Sequence, residues 1–210
     1  MKMPTRLRVA APALLLGFAL VLPMTAATED LEPSTAIDGL HAALLDVMRK
    51  AAVLEYQGRT EKLTPVIPGY FDLAFMAEKA VGRRSWRKAT PQEQQAYLDA
   101  FTRFMVANYA GRFDGYSGQS FETLGEEPAR SDTILVKSQL IDPGEENIEL
   151  NYRMRRVGGA WKIIDVYMDG TVSELALRRS EFASVVKNEG FDGLIEALDQ
   201  KIAKLAKGDG

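Results

Sequence analysis

The segment Trp161-Lys162-Ile163-Ile164-Asp165-Val166-Tyr167-Met168 constrains this chain more than any other. Its residues are mostly β-branched or aromatic, with Gly158-Gly159 marking a turn before it and Asp169-Gly170 one after, so it reads as a β-strand. Alternation sets Trp161, Ile163 and Tyr167 on one face and Ile164, Val166 and Met168 on the other. A strand apolar on both faces has to be covered on both. It reads as a central strand, and the cover is either protein or ligand.

The segments upstream supply its neighbours. Ile148, Leu150, Tyr152 and Met154 form one inward face, while Asn147, Glu149, Asn151, Arg153 and Arg155 point the other way. Thr133 to Leu140 is another strand, with Ile134, Val136 and Leu140 aligned, and Phe121 to Leu124 is a short one. The Asp142-Pro143-Gly144-Glu145 turn and the other hairpin-length connections make this an antiparallel meander of four strands.

Helical periodicity flanks the sheet. Ile37, Leu40, Leu44, Val47, Ala51 and Leu54 predict a helix over 36–57, opened by a capping-box-like pair, Thr35 and Asp38. A short helical piece over 60–67 is expected to stop at Pro65 and Pro68. Tyr70-Phe71-Asp72 leads into a helix ending at Gly82. Thr90-Pro91-Gln92-Glu93 places Thr at the N-cap, Pro at N1 and Glu at N3 of a helix running to about Arg112. Gly111, Gly115 and Gly118 then break it. Two further helices follow Gly170, over Ser173 to Lys187 and from Gly190 onward. The predicted class is α+β: an antiparallel four-stranded curved sheet packed against several helices, enclosing an apolar cavity.

The first residues are read as a leader. Lys2, Arg6 and Arg8 precede an apolar run, Val9 to Leu22, and Thr25 and Ala27 are small residues at −3 and −1 of a cut after Ala27. That is the pattern of a cleavable secretory signal, and the run is short for a spanning helix, which needs about 20 residues; the alternative is an uncleaved anchor. The organisation expected is a signal peptide over 1–27, a linker over 28–35, one domain over 36–206 and a tail over 207–210. The cut removes three cations and no acid, taking the net charge from −3 to −6. An acidic chain argues against a nucleic-acid partner. Secretion without a single cysteine points to a bacterial periplasm.

Little here is equipped for chemistry. No H-E-x-x-H, phosphate-binding loop or G-x-S-x-G occurs. The single histidine, His41, lies on an amphipathic helix with no second ligand at metal spacing and is assigned to a helix surface or core edge. Asp165 has two readings: a half-buried general base on a cone-shaped α+β enzyme of the NTF2-like kind, or a carboxylate bonded to a neighbouring loop or arginine. Arg83, Arg84, Arg87 and Lys88 surround Trp86 in a basic cluster. It is either a solvated loop with Trp86 packed down, or a docking patch for an acidic partner or anionic head groups.

The remaining signal is an inventory of aromatic and flexible apolar side chains. The helices contribute Phe75, Met76, Tyr97, Phe101, Phe104, Met105 and Tyr109; the strands contribute Val136, Leu150, Tyr152, Val166 and Met168. Such side chains fill ordinary cores, and they also line adaptable apolar pockets.

Six blocks in one order resemble the MlaC family, also called toluene-tolerance Ttg2D-like. They are Tyr70-Phe71-Asp72 with Met76; Ala80-Val81-Gly82, Trp86 and Ala89-Thr90-Pro91 with Gln95; the helix bearing Phe101, Phe104 and Tyr109; Gly159-x-Trp161-Lys162-Ile163-x-Asp165-Val166; Arg179-Ser180-x-Phe182; and Gly190-Phe191-Asp192-Gly193-Leu194-Ile195. The segment Asp169 to Arg179 departs from the usual family pattern and is more similar to the hopanoid-associated HpnM branch. The resemblance implies a soluble periplasmic lipid carrier that is not an enzyme and needs no cofactor. Its cargo would be a hopanoid or a phospholipid, taken between an inner-membrane ABC-type or other lipid exporter complex and an outer-membrane acceptor; the alternative is an adaptor that docks to such a transporter and carries nothing. It makes the twelve apolar residues named above candidates for contact with lipid, and the four basic ones candidates for contact with partners or head groups.

Overall fold

The computed structural model describes residues 32–208; the expected leader and its cleavage site lie outside the described residues. Five helices come first: α1 (Pro33–Arg49), α2 (Ala51–Tyr70), α3 (Leu73–Val81), α4 (Arg83–Lys88) and α5 (Pro91–Arg112). The strands β1 (Ser120–Ala129), β2 (Thr133–Ile141), β3 (Ile148–Val157), β4 (Ala160–Met168) and β5 (Val172–Ser173) follow, and α6 (Glu174–Leu205) closes the chain.

Several helix boundaries differ from the sequence expectation. No side chain caps α1, which starts at Pro33 with Glu32 before it, so Thr35 and Asp38 form no capping box. The helix expected over 36–57 is two, separated at Lys50, and α2 itself bends at Glu55, where φ is 51° and ψ is −171°. Pro65 and Pro68 do not stop α2. Leu63 and Ile67 are fully buried on its inner face, and that burial offsets the hydrogen bonds the prolines cannot donate. The capping box at Thr90 is formed as expected, with Glu93 N–H bonded to Thr90 Oγ1 at 3.2 Å and Thr90 N–H to Glu93 Oε2 at 2.7 Å. Gly111 does not break α5, which ends one residue later. The basic cluster expected as a loop is the short helix α4.

The sheet is an antiparallel meander in sequence order, five strands rather than four, the fifth being two residues long. Val157 pairs with Ala160, so Gly158 (φ 59°) and Gly159 (φ 88°) form a two-residue hairpin loop with both φ positive, which favours glycine. A register shift opposite Arg153 and Met154 leaves Ile164 as the extra residue of a bulge. Strict alternation therefore fails across β4. Tyr152 pairs with Val166 and Met154 with Ile163, so Ile163 and Val166 share the core-facing side. Asp165 and Tyr167 pair with Arg153 and Asn151 on the opposite side.

β1 is an edge strand, which explains how it holds Pro128. The free edge of β4 is covered twice. At Tyr167 and Met168 it pairs with β5; at Ile163 it meets Phe71, and Asp72 N–H donates to Ile163 O at 2.9 Å. The apolar face of the sheet and the inner faces of α1, α2, α3, α5 and α6 bury one continuous cluster of side chains.

Candidate functional site

The packed part of the interior lies between α5 and α6. Tyr97 sits 5.6 Å from Phe191, and Phe101 and Phe104 lie 6.4 and 6.2 Å from Phe182, ring centre to ring centre. Met76, Met105 and Val136 are buried in the continuous core of the fold. Phe75 is elsewhere, on the outer side of α3, with Arg155 over its ring at 4.3 Å and Lys79 at 4.9 Å. Arg155 is held there by an ion pair to Asp72, the N-cap of α3.

The interior opens at the other end of the sheet, beneath the last turn of α5. A cavity of about 230 Å³ lies there, walled by Tyr109 and Phe113 from the helix side and by Leu140, Ile148, Leu150, Tyr152, Val166 and Met168 from the sheet. Five of the twelve apolar candidates thus meet at one cavity: Tyr109, Leu150, Tyr152, Val166 and Met168. Tyr97, Phe101, Phe104, Met105, Met76, Val136 and Phe75 do not line it.

The cavity's polar margin carries groups that apolar periodicity could not indicate. Arg112, in the last turn of α5, pairs with Glu174, the first residue of α6, at 2.5 Å. Glu174 also accepts from Arg178 at 2.9 Å, and the Arg178 guanidinium lies 4.8 Å from the centre of the Phe104 ring. Inside, the Tyr152 hydroxyl is 3.1 Å from His41 Nε2, and His41 stacks on Phe121 at 4.1 Å. Burial lowers the His41 imidazole to about 4, against a smaller upward pull from Asp38. Burial also raises the hydroxyls of Tyr109 and Tyr152, so both stay protonated.

Asp165 is engaged in structure. It accepts from Ser173 Oγ at 2.6 Å, from Leu175 N–H at 3.0 Å and from its neighbour Val166 N–H at 2.9 Å. Ser173 in turn caps α6 by accepting from Ala176 N–H. Burial raises the Asp165 carboxyl, opposed by these donors. The pair fastens the start of α6 to β4, which is the second of the two readings of Asp165.

α6 is two helical segments joined at Gly190, with φ 74° and ψ −170°. The first, from Glu174, borders the cavity; the second packs Leu194 and Leu198 into the core. A separate groove of about 570 Å³ runs along this joint, between α4 and α6, and is lined by Arg84, Lys88, Lys187, Val186 and Phe191 among others. Arg83, Arg84, Arg87 and Lys88 are all exposed. Trp86 is half-buried against Tyr97, 6.3 Å between rings. Among the described residues there is no cluster of three metal-ligating side chains and no helix long and apolar enough to cross a membrane.

Comparison with known proteins gives three findings. The family model described as MlaC protein matches residues 39–200. The toluene tolerance protein ttg2D of Pseudomonas putida is 26% identical over 124 residues, 58% of this chain and 55% of that protein, so the match spans about half the relative's length. The phospholipid-binding protein from Ralstonia solanacearum, solved in complex with a phospholipid, superposes with a TM-score of 0.69 at 27% identity, over 82% of this chain and 96% of that one.

Proposed function

The chain belongs to the MlaC family, and from that premise we propose that it is a periplasmic lipid carrier. The observation that carries the reading is the apolar cavity between the last turn of α5, the sheet and the start of α6. The phospholipid seen in a relative of the same fold supports it. Burying a methylene is worth about 0.8 kcal/mol, so a tail of about 16 carbons costs roughly 13 kcal/mol to leave in water. A lipid does not cross an aqueous gap alone at that cost, and a protein interior removes it. Exchange at each end then needs only relative affinity, with no nucleotide site in the carrier.

The cavity as it stands, about 230 Å³, takes roughly eight water-sized groups, about half of one such tail. Loading therefore requires the walls to part. The first segment of α6 is the wall we take to move: it ends at the Gly190 joint, and opening it means releasing the Arg112–Glu174 pair and the bonds from Ser173 and Leu175 to Asp165. Cargo is a phospholipid or a hopanoid, delivered between an inner-membrane ABC-type complex and an outer-membrane acceptor. The exposed basic residues of α4 face the anionic surface of whichever membrane or partner is visited, each worth about 1 kcal/mol near a charged membrane. The mature protein, purified from its native envelope and extracted with organic solvent, should yield lipid by mass spectrometry. An extract without lipid refutes the carrier reading.

A further inference from the structure

On the other side of the last turn of α5 lies a second cleft, about 510 Å³, and its chemistry is polar. At its base is Arg59, only 9% exposed. Its guanidinium donates from Nε to Ala110 O at 2.8 Å and from Nη1 to Ala51 O at 3.5 Å, and no carboxylate among the described residues pairs with it. Those bonds use two of the five N–H donors and leave one on Nη1 and both on Nη2. Two further walls carry buried polar atoms: Asn108 Nδ2, without a partner on a side chain 8% exposed, and the Tyr56 hydroxyl, whose one neighbour for a hydrogen bond is Thr60.

A buried cation without a counter-ion, beside an Asn108 amide bonded to nothing and a Tyr56 hydroxyl with only Thr60 to share a hydrogen bond, is an arrangement a folded chain avoids unless something completes it. The missing partner must be negative and must offer several acceptor oxygens. Asp114 also lines the cleft, but it is exposed at the rim, where water screens it. Arg112 borders both this cleft and the apolar cavity.

We infer that Arg59, Asn108 and Tyr56 form an oxyanion site that takes a phosphate group. The phosphate comes either from the head group of a lipid whose tails occupy the neighbouring cavity, which rests on the carrier reading, or from free phosphate, which does not. Asn108→Leu and Tyr56→Phe test it, because each removes one buried polar group from the cleft wall and leaves Arg59 in place to hold α2 against α5. The probes are inorganic phosphate, titrated into delipidated full-length mature protein and followed by ³¹P NMR, and water-soluble dihexanoyl phosphatidylglycerol, followed by calorimetry. Each variant should bind at least one probe about tenfold more weakly, with a melting temperature equal to or above that of the parent. Weakening towards the short-chain lipid, with competition by phosphate, assigns the head group. Weakening towards inorganic phosphate alone assigns the free ion, and this arm stands even if the lipid extract is empty. Unchanged affinity for both probes, or no binding of either by the parent, overturns the site.

Discussion

His41 is held neutral by its surroundings: burial outweighs Asp38, and the ring is fixed between Phe121 and the Tyr152 hydroxyl. The unfolded imidazole titrates near 6.5 and the folded one near 4. Between those values the unfolded chain binds the extra proton, so the stability His41 contributes is complete above pH 6.5 and is lost as pH falls towards 4. The gap corresponds to about 3 kcal/mol. Urea unfolding at pH 7.5 and pH 4 should show the parent losing about that much more stability than His41→Gln; equal losses would mean the ring is free to protonate in the fold. Sequence spacing put His41 at a helix surface or core edge. Its partner is 111 residues away, and local spacing carries no trace of such a pair.

The elements that matter most are the two ends of the first α6 segment. At its start, Ser173 receives Ala176 N–H and donates to Asp165. Ser173→Ala should cost about 1–2 kcal/mol in chemical denaturation, the usual worth of an N-cap; a smaller effect would show that Asp165 alone secures the helix. At its end, Gly190 adopts a backbone conformation that only glycine takes without strain. Gly190→Ala should destabilise by about 1–3 kcal/mol and slow the transfer of a fluorescent lipid from vesicles, because the joint on which the cavity opens is stiffened. Unaltered transfer in a folded variant would place the moving wall elsewhere. The GFDG segment is visible in the sequence as a break between helices. That the break is a joint beside the groove under α4, with the cavity at the far end of its first segment, depends on what packs against each half.

At the scale of the whole molecule, the interior is filled at one end and hollow at the other. Phe104 belongs to the filled end, against Phe182 and under Arg178. Phe104→Ala should cost about 3–5 kcal/mol by creating a cavity while sparing lipid occupancy. Leu150 belongs to the hollow end. Leu150→Trp should leave stability within about 1.5 kcal/mol, because the added ring has space to enter, and should sharply reduce the lipid recovered by extraction. Reversed outcomes would exchange the roles of the two ends. Both residues are large, apolar and buried, so composition treats them alike.

Local interactions determined much of this protein. The α+β class, the meander, the Thr90 capping box and the Gly158-Gly159 turn rest on patterns a few residues long, which is the range over which periodicity and turn chemistry act. Long-range packing decided the rest: α2 continuing through two prolines, the bulge that turned Ile163 and Val166 to one side, and the ion pair joining Arg112 to a residue 62 positions away. A cavity is the extreme case. It is the place where side chains from distant segments fail to meet, and no single segment holds that information.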